Sequence, residues 1–238
     1  MIEKDYYHFA VERGIDYLSC GFWQEEYCRL LSDLFKKHTE QNGIPLWKNN
    51  TFLDVGCACG LIPYVMKKNH GDIFVNCIGI DSSEYMIGLG REKFNMSDKE
   101  LFVENIIEGI VKIPSKSIDF LHCSQVLEHI PKDKCSFVIS EFKRILKNDG
   151  VMFLSYVAGK NGKQVALIKE QDNDPTHINI TLTTFWNNLF KKYDLMWDYE
   201  LSQLLQTHDA KPDKNGKNNF FQEYINGGGW VVSILINN

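Results

Sequence analysis

The sequence predicts an α/β fold in which mostly parallel strands form a doubly wound sheet. Five short and nearly uninterrupted apolar runs recur between residues 51 and 157, as expected for strands that are buried on both faces. Helix-like segments or crossovers separate these runs, and that alternation favours parallel pairing. Of the 238 residues, 44% are hydrophobic and 24% are charged, so the chain has enough apolar material for the core of one large domain.

A helix precedes the first apolar run. Between about Phe22 and His38, apolar side chains recur with the one-faced spacing of an amphipathic helix. Gly43 and Pro45 follow this segment and are expected to end the helix. Residues 1–20 are rich in aromatic side chains and are predicted to be irregular.

The apolar runs then define the sheet in chain order. The predicted strands are 51–56, 73–81, 101–105, 118–124 and 151–157. The predicted helices reach to about Asn69 after the first strand and cover about 84–94 and 132–147, where the sequence NDG ends the last one. Beyond the fifth strand we predict a polar connection over 158–180, a helix over 184–193, a strand near 196–206 and a last apolar strand over 230–236.

Composition and charge disfavour several classes of protein. The formal net charge of −5 argues against a nucleic-acid substrate, because phosphate binding needs a basic surface. The seven cysteines are an odd number without framework spacing, which predicts reduced thiols in a cytoplasmic protein. Cys57 and Cys59 lack a second pair of Cys or His ligands at the spacing found in zinc fingers, so no metal site is predicted.

The charged N-terminal stretch has no signal-peptide core, and no apolar run approaches the ~20 residues of a membrane span.

The most informative segment is LDVGCACG at 53–60. Asp54 ends the first strand, and the chain then turns through Gly56 and Gly60 into a helix. Glycine is needed where the backbone adopts a positive φ or passes close to a ligand, and the helix N-terminus aims N–H groups at that ligand. A dinucleotide site would need a third glycine and would place Asp54 beside a pyrophosphate. The segment is better suited to a ligand with ammonium and sulfonium groups.

A second acidic residue supports this interpretation. Asp81 ends the second strand, where a carboxylate can accept hydrogen bonds from both hydroxyls of a ribose. Taken singly, Asp54 and Asp81 can also be helix caps or turn formers. Their combination with the glycine turn favours ligand binding.

These segments resemble the class I S-adenosylmethionine (SAM) dependent methyltransferases, in particular the branch of quinone-biosynthesis and other small-molecule enzymes. LDVGCACG is similar to the first motif of that family, with Ala58 in place of the usual middle glycine, and GIDSS at 79–83 is similar to the second. The segments 112–130 and 140–157 match as well, so the resemblance covers nearly half of the chain. It implies a Rossmann-like, seven-stranded sheet with a reversed last strand.

The resemblance also implies residues for the cofactor. Backbone at Gly56 and Cys57, next to Ala58 and Gly60, would contact the methionine part of SAM, and Asp54 would reach its ammonium group. Asp81 would bind the ribose and Ser82 would lie against adenine. The adenine amino group is assigned to Asn105 with the Ile106 backbone, although Glu108 can fill that role instead. The residues assigned to the methyl-donor end are Ser124, Gln125 and Val126.

Residues for the methyl acceptor are less strongly indicated. His129, in VLEHI, is a candidate base or a structural histidine that holds the turn, and His177, in DPTHINI, is a candidate base, substrate contact or loop residue. Tyr7 and Trp23 belong to an aromatic cluster that can cover a planar substrate or simply pack in the core. We predict a single domain, with a helical lid or extension at 1–48, the SAM-binding core at 49–157, and a substrate-side connection with C-terminal strands at 158–238.

The predicted function is methyl transfer from SAM to an oxygen, nitrogen or carbon of a small molecule, with S-adenosylhomocysteine (SAH) as the product. A non-catalytic module that binds SAM or SAH is an alternative, since binding and turnover are separable. A tRNA-modifying enzyme is a weaker alternative, because basic residues cluster only at 191–192 and 211–217. The missing third glycine and the segment 112–130 disfavour a nicotinamide-dependent oxidoreductase. We expect a monomer or a homodimer.

Overall fold

Eight strands and seven α-helices make up the part of the chain that the structure, a computed structural model, describes. The described residues are 18, 22–44, 49–172, 174–198, 201 and 230–237. Predictions for Tyr7, for the irregular start and for most of 199–229 lie outside them. The chain forms two compact units, residues 1–113 and 114–238, which are described separately.

The first unit begins with a helix and continues as alternating strands and helices. In chain order its elements are α1 (Phe22–Gln41), β1 (Asn50–Val55), α2 (Leu61–His70), β2 (Phe74–Asp81), α3 (Glu84–Phe94), β3 (Leu101–Val103) and the short α4 (Ile106–Gly109), which a 3-10 turn (Ile110–Lys112) follows. The strands lie in the order β3-β2-β1 and are parallel. Asp54 is level with Gly79 across the first pair, and Gly79 with Leu101 across the second.

The predicted amphipathic helix packs in the core of this unit. Leu30, Leu31 and Leu34 of α1 are fully buried, and the ring of Phe35 packs against that of Phe74 of β2 at a centroid distance of 5.0 Å. The helix continues to Gln41, slightly beyond the predicted end, and Gly43 follows with a φ of +62°. A left-handed residue at this position ends a helix, as the glycine predicted.

The second unit contains the reversed strand. Its elements are β4 (Ile118–Ser124), a 3-10 turn (Leu127–His129), α5 (Lys132–Ile145), β5 (Leu146–Gly159), α6 (Gly162–Gln171), β6 (Thr181–Leu182), α7 (Thr183–Lys192), β7 (Leu195–Trp197) and β8 (Trp230–Asn237). The strand order is β4-β5-β8-β7, and the two-residue β6 pairs with the end of β5. β4 and β5 are parallel, whereas β8 is antiparallel to both β5 and β7. The predicted mostly parallel sheet with a reversed last strand is confirmed.

Several predicted boundaries in this unit were wrong. Residues 158–180 were expected to be a polar connection, but they contain α6, whose N-cap Asn161 accepts a hydrogen bond from the Gln164 amide at 2.9 Å. β5 begins at Leu146, before the NDG sequence, and its register with β4 shifts between Ile118 and Phe120. Helix α5 therefore ends earlier than predicted, and the NDG sequence lies in an irregular part of β5. Across the described residues, the structure contains no helix that is long and apolar enough to span a membrane.

Candidate functional site

The turn between β1 and α2 has the backbone conformation that its glycines predicted. Gly56 and Gly60 have φ values of +76° and +75°, and Ala58 between them has a φ of +49°. The amides of Gly56 and Cys57 both donate to the carbonyl oxygen of Ile80, at 2.8 and 3.1 Å. The turn is therefore held against the end of β2 by main-chain hydrogen bonds. The family's usual glycine at the Ala58 position is explained by the left-handed backbone there.

Asp81 links the end of β2 to this turn. Its Oδ2 atom accepts a hydrogen bond from the Ala58 amide at 2.8 Å, and its Oδ1 atom accepts one from the Ser83 amide at 2.9 Å. Ser83 in turn caps α3 by accepting from the Met86 amide at 3.1 Å, and Ser82 is exposed. Because each carboxylate oxygen has two lone pairs, Asp81 retains capacity for donors from a ligand.

The N-terminus of α2 has no side-chain cap. Gly60 makes no capping hydrogen bond, and the first turn of the helix contains no acidic residue. The positive end of the helix dipole is therefore not neutralised by the helix's own side chains, which favours a ligand anion such as a carboxylate.

Close packing holds the cysteines of the turn. A Cβ atom at Gly79 would lie 2.6 Å from Cys57 Sγ, and one at Gly90 would lie 1.8 Å from the carbonyl oxygen of Cys59. Burial raises the pKa of the Cys59 thiol to about 12 and that of Cys57 well above its usual value. Both side chains are therefore neutral thiols at pH 7 and behave as small apolar residues.

The other predicted cofactor residues of this unit differ in exposure. Asp54 is 3% exposed on β1. Asn105 is exposed, and its side-chain oxygen accepts from the Ile107 amide at 2.9 Å, so it caps the short helix that begins at Ile106. The predicted contacts of these residues with adenine or methionine remain predictions. Trp23 lies in α1, and its side chain is outside the described part of the structure.

In the second unit, the chain bends sharply at the end of β4. After Ser124, Gln125 has a φ of +59°, which is uncommon for a residue with a side chain. Its amide donates to the Ser155 carbonyl oxygen at 2.8 Å, and its Nε2 atom donates to Ser155 Oγ at 2.9 Å. The Gln125 Oε1 atom is buried without a hydrogen-bond partner. Sequence reasoning identified Gln125 and Val126 but not Ser155, which is distant in the chain.

The fold brings Glu128, His129 and His177 together. One ligand atom from each lies within 4.8 Å of the other two, and the two imidazole rings are 4.7 Å apart. His129 lies in the 3-10 turn after β4, whereas His177 lies between α6 and β6. We call these three residues the Glu–His–His cluster.

Three polar residues from the connection after α6 surround this cluster. His129 Nδ1 lies 3.2 Å from the carbonyl oxygen of Thr176 and 2.9 Å from its hydroxyl. Asp172 Oδ2 is 2.8 Å from His177 Nδ1, and Asp174 Oδ2 is 3.7 Å from His177 Nε2. Sequence reasoning missed Asp172, Asp174 and Thr176. The signal was the acidic run directly before His177, which was interpreted only as a polar connection.

Burial determines the charge of the cluster. Glu128 is 0% exposed, and both of its carboxylate oxygens lack a hydrogen-bond partner. Burial raises the pKa of this carboxyl to about 8, so in the absence of a cation it is largely protonated at pH 7. Burial, together with the neighbouring His177, lowers the pKa of His129, which is therefore neutral at pH 7. A neutral imidazole can accept a proton from a substrate or bind a metal ion.

Comparison with known proteins agrees with this architecture. Residues 21–198, well over half of the chain, match a family model described as a methyltransferase domain. A ubiquinone biosynthesis O-methyltransferase from Actinobacillus pleuropneumoniae is 29% identical over 110 residues, which are 44% of this chain and 44% of that protein. A carboxy-S-adenosyl-L-methionine synthase from Yersinia pseudotuberculosis is 25% identical over 174 residues, which are 59% of this chain and 71% of that protein.

The fold itself is shared with solved structures. A SAM-dependent methyltransferase from Archaeoglobus fulgidus has a TM-score of 0.53 at 19% identity, over 86% of this chain and 94% of that one. At this identity the likeness establishes the fold, which is the predicted Rossmann-like one. The chain spans less than half of the length of the ubiquinone biosynthesis relative. From the family match over 21–198, we conclude that the chain belongs to the methyltransferase domain family, as its resemblance to the class I SAM-dependent enzymes predicted.

Proposed function

We propose that this protein binds SAM and transfers its methyl group to an oxygen, nitrogen or carbon of a small molecule, leaving SAH. The observation that carries the proposal is the turn at 56–60, where Asp81 accepts a hydrogen bond from the Ala58 amide inside a left-handed backbone segment. This arrangement places a carboxylate and an uncapped helix N-terminus at the same end of β1 and β2.

The residues of the first unit fit the cofactor. The helix N-terminus after Gly60 would bind the methionine carboxylate, because its amides carry partial positive charge and have no side-chain cap. Asp54 would balance the ammonium group, and Asp81 would accept hydrogen bonds from the ribose hydroxyls while it holds the turn. Asn105 and the Ile106 backbone stay proposed for the adenine amino group, and Ser82 for the adenine face.

When bound, SAM supplies a methyl group on a sulfonium, which is attacked in line by the acceptor. The protein's task is to orient the acceptor and exclude water. In the second unit, Ser124, Gln125 and Val126 are proposed for the methyl-donor end, and the unpaired Gln125 Oε1 is an acceptor suited to a ligand donor. His129 and His177 are the described residues proposed to accept a proton, if the acceptor loses one on attack.

A small-molecule acceptor is supported by two observations. The relative from Actinobacillus pleuropneumoniae is named for ubiquinone biosynthesis, and the net charge of −5 disfavours a polyanionic substrate.

The six described cysteines are buried and free of disulfides, which supports the proposed cytoplasmic location.

The test is calorimetric titration of the whole chain with SAM and with SAH. We expect micromolar binding of both ligands by the wild type and at least tenfold weaker binding by Asp81→Ala and Asp81→Asn. Asp98→Ala, a change at an exposed loop residue of the same unit, is the matched control and should bind normally. Absence of binding by the folded wild type would contradict the proposal.

Transfer of labelled methyl then separates the proposed enzyme from its alternatives. Incorporation into phenols, amines or activated carbons in a small-molecule panel supports the proposed reaction. Label in acid-precipitable tRNA would indicate the RNA-modifying alternative. Tight binding of SAM and SAH with no incorporation in either assay would favour a non-catalytic module.

A further inference from the structure

The Glu–His–His cluster has a property that the proposed methyl transfer does not explain. Its members present oxygen and nitrogen atoms to one another, and both carboxylate oxygens of the fully buried Glu128 lack a partner. Buried polar groups are nearly always paired, because an unpaired one loses its hydration without compensation. We propose that Glu128, His129 and His177 bind a divalent transition-metal ion of the Zn²⁺ type.

The hydrogen bonds around His129 define its tautomer. The Thr176 hydroxyl donates to Asp174 Oδ1 at 2.5 Å, so toward His129 it can only accept. His129 Nδ1, which is 2.9 Å from that hydroxyl, must therefore carry the proton and donate it. This tautomer places the lone pair on Nε2, the form in which a histidine coordinates a metal through that atom.

His177 is oriented in the same way by a carboxylate. Its Nδ1 atom lies 2.8 Å from Asp172 Oδ2 and donates its proton there when the ring is neutral. A carboxylate behind a histidine is a recurrent feature of metal sites, since it orients the ring and makes the other nitrogen a better ligand. Asp174 Oδ2 lies 3.7 Å from the Nε2 atom of His177 and adds negative charge beside the cluster.

Glu128 supplies the third ligand. An ionised carboxylate without a partner is very costly in a buried position, whereas coordination to a dication stabilises it. The cluster is compact enough for one ion. The ligand atoms lie within 4.8 Å of one another, whereas the ligands of a tetrahedral zinc ion with bonds of about 2.1 Å lie about 3.4 Å apart, so binding requires the side chains to approach by up to about 1.4 Å.

Hydrogen bonds from Asn179 connect the two chain segments that form the cluster. The Asn179 amide donates to the Glu128 carbonyl oxygen at 2.9 Å, and the Asn179 side chain donates to the Leu127 carbonyl oxygen at 3.4 Å. The segment that carries His177 is thereby fastened to the turn that carries Glu128 and His129.

Two imidazoles and one carboxylate are a ligand set that zinc accepts, and they leave a coordination position for water or a ligand oxygen. The sequence predicted no metal site, because the three residues come from two separate segments. The proposal goes beyond methyl transfer and does not depend on it. Coordination and proton acceptance exclude each other, however, since a histidine nitrogen that binds the ion cannot also take a proton.

The experiment measures binding of Zn²⁺ to the metal-stripped whole chain at pH 7.5 by calorimetry, with Co²⁺ absorption as a second readout. We expect one equivalent of Zn²⁺ with micromolar or tighter affinity, and a Co²⁺ spectrum without a thiolate charge-transfer band. His177→Asn and Glu128→Gln should each weaken Zn²⁺ binding at least tenfold. Asp172→Asn should weaken it about tenfold, as expected for a residue that orients a ligand.

His70→Asn removes a histidine near the end of α2, in the other unit, and is the matched control that should leave the affinity unchanged. Circular dichroism establishes that each variant is folded, and His177→Asn with Asp172→Asn carries the test if Glu128→Gln does not fold. No binding tighter than millimolar would overturn the proposal. Wild-type affinity in folded His177→Asn, or a cobalt–thiolate band, would overturn it as well. None of these outcomes depends on SAM, so they are distinct from a failure of the proposed methyl transfer.

Discussion

The turn at 56–60 and the Glu–His–His cluster are formed in different ways, one mainly by backbone and the other by side chains. The turn lies within one short segment and owes its shape to backbone hydrogen bonds and left-handed residues. The cluster joins side chains from 128–129 to a side chain at 177, across α5, β5 and α6. A site made of contiguous backbone leaves a pattern of glycines in the sequence, whereas a site made of distant side chains leaves no local pattern.

The two regions also differ in how their polar groups are satisfied. In the turn, the carboxylate of Asp81 accepts hydrogen bonds from two main-chain amides. In the cluster, both carboxylate oxygens of Glu128 lack a hydrogen-bond partner. We therefore expect changes to the turn to act through backbone conformation, and changes to the cluster to act through single side-chain contacts.

The largest effect is expected where α3 packs against the turn. An added Cβ at Gly90 would meet the Cys59 carbonyl oxygen at 1.8 Å, so Gly90→Ala must displace backbone. It should lower the free energy of unfolding by about 3 kcal/mol and weaken SAM binding. Gly88→Ala, in the same helix, has nothing within 4 Å of the new Cβ and should raise stability by about 0.5–1 kcal/mol. Urea denaturation of both variants measures this, and effects of the same sign would contradict it.

A smaller effect is expected in the second unit. Asn179→Ala removes the donors to the Leu127 carbonyl oxygen and to Cys135 Sγ in a buried position. We expect a loss of about 1–2 kcal/mol in the free energy of unfolding and faster proteolysis near residues 172–178. Asn187→Ala, at an exposed position of α7, should change stability by less than about 0.5 kcal/mol. Equal stability of the two variants would show that the Asn179 side chain does not fasten the connection.

The smallest effect concerns Ala58. Its φ of +49° is unfavourable for alanine by about 1–2 kcal/mol, and glycine relieves this strain at the expense of about 0.5–1 kcal/mol in chain entropy. Ala58→Gly should therefore raise the free energy of unfolding by about 0.5 kcal/mol and preserve SAM binding. Ala166→Gly, at an exposed position inside α6, should instead lower it by about 1 kcal/mol. Chemical denaturation measures the free energy of unfolding of both variants. A loss of stability in both would contradict the prediction.

Much of the fold could be predicted because local patterns and tertiary packing agree. The helix over 84–94 and the strand over 118–124 have the predicted bounds, since each is an apolar or amphipathic run between clear breakers. α6 was missed because its sequence, GKQVALIKEQ, has only a weak apolar face and lies in a polar stretch. The start of β5 was misplaced because NDG usually ends an element, whereas here pairing with β4 and β8 continues the strand through an irregular register.

The reversed last strand was predicted only through the resemblance to the class I enzymes. By itself, the sequence determined the sheet class and the glycine turn with Asp54 and Asp81. These features depend on periodicity and on backbone conformation, which neighbouring residues specify. The tertiary structure alone decided that Asp81 binds the Ala58 amide, that the carboxyl group of Glu128 is left without a partner, and that His177 lies beside His129. Such contacts depend on the packing of segments that are far apart in the chain, and a local pattern of residues carries no information about their distance.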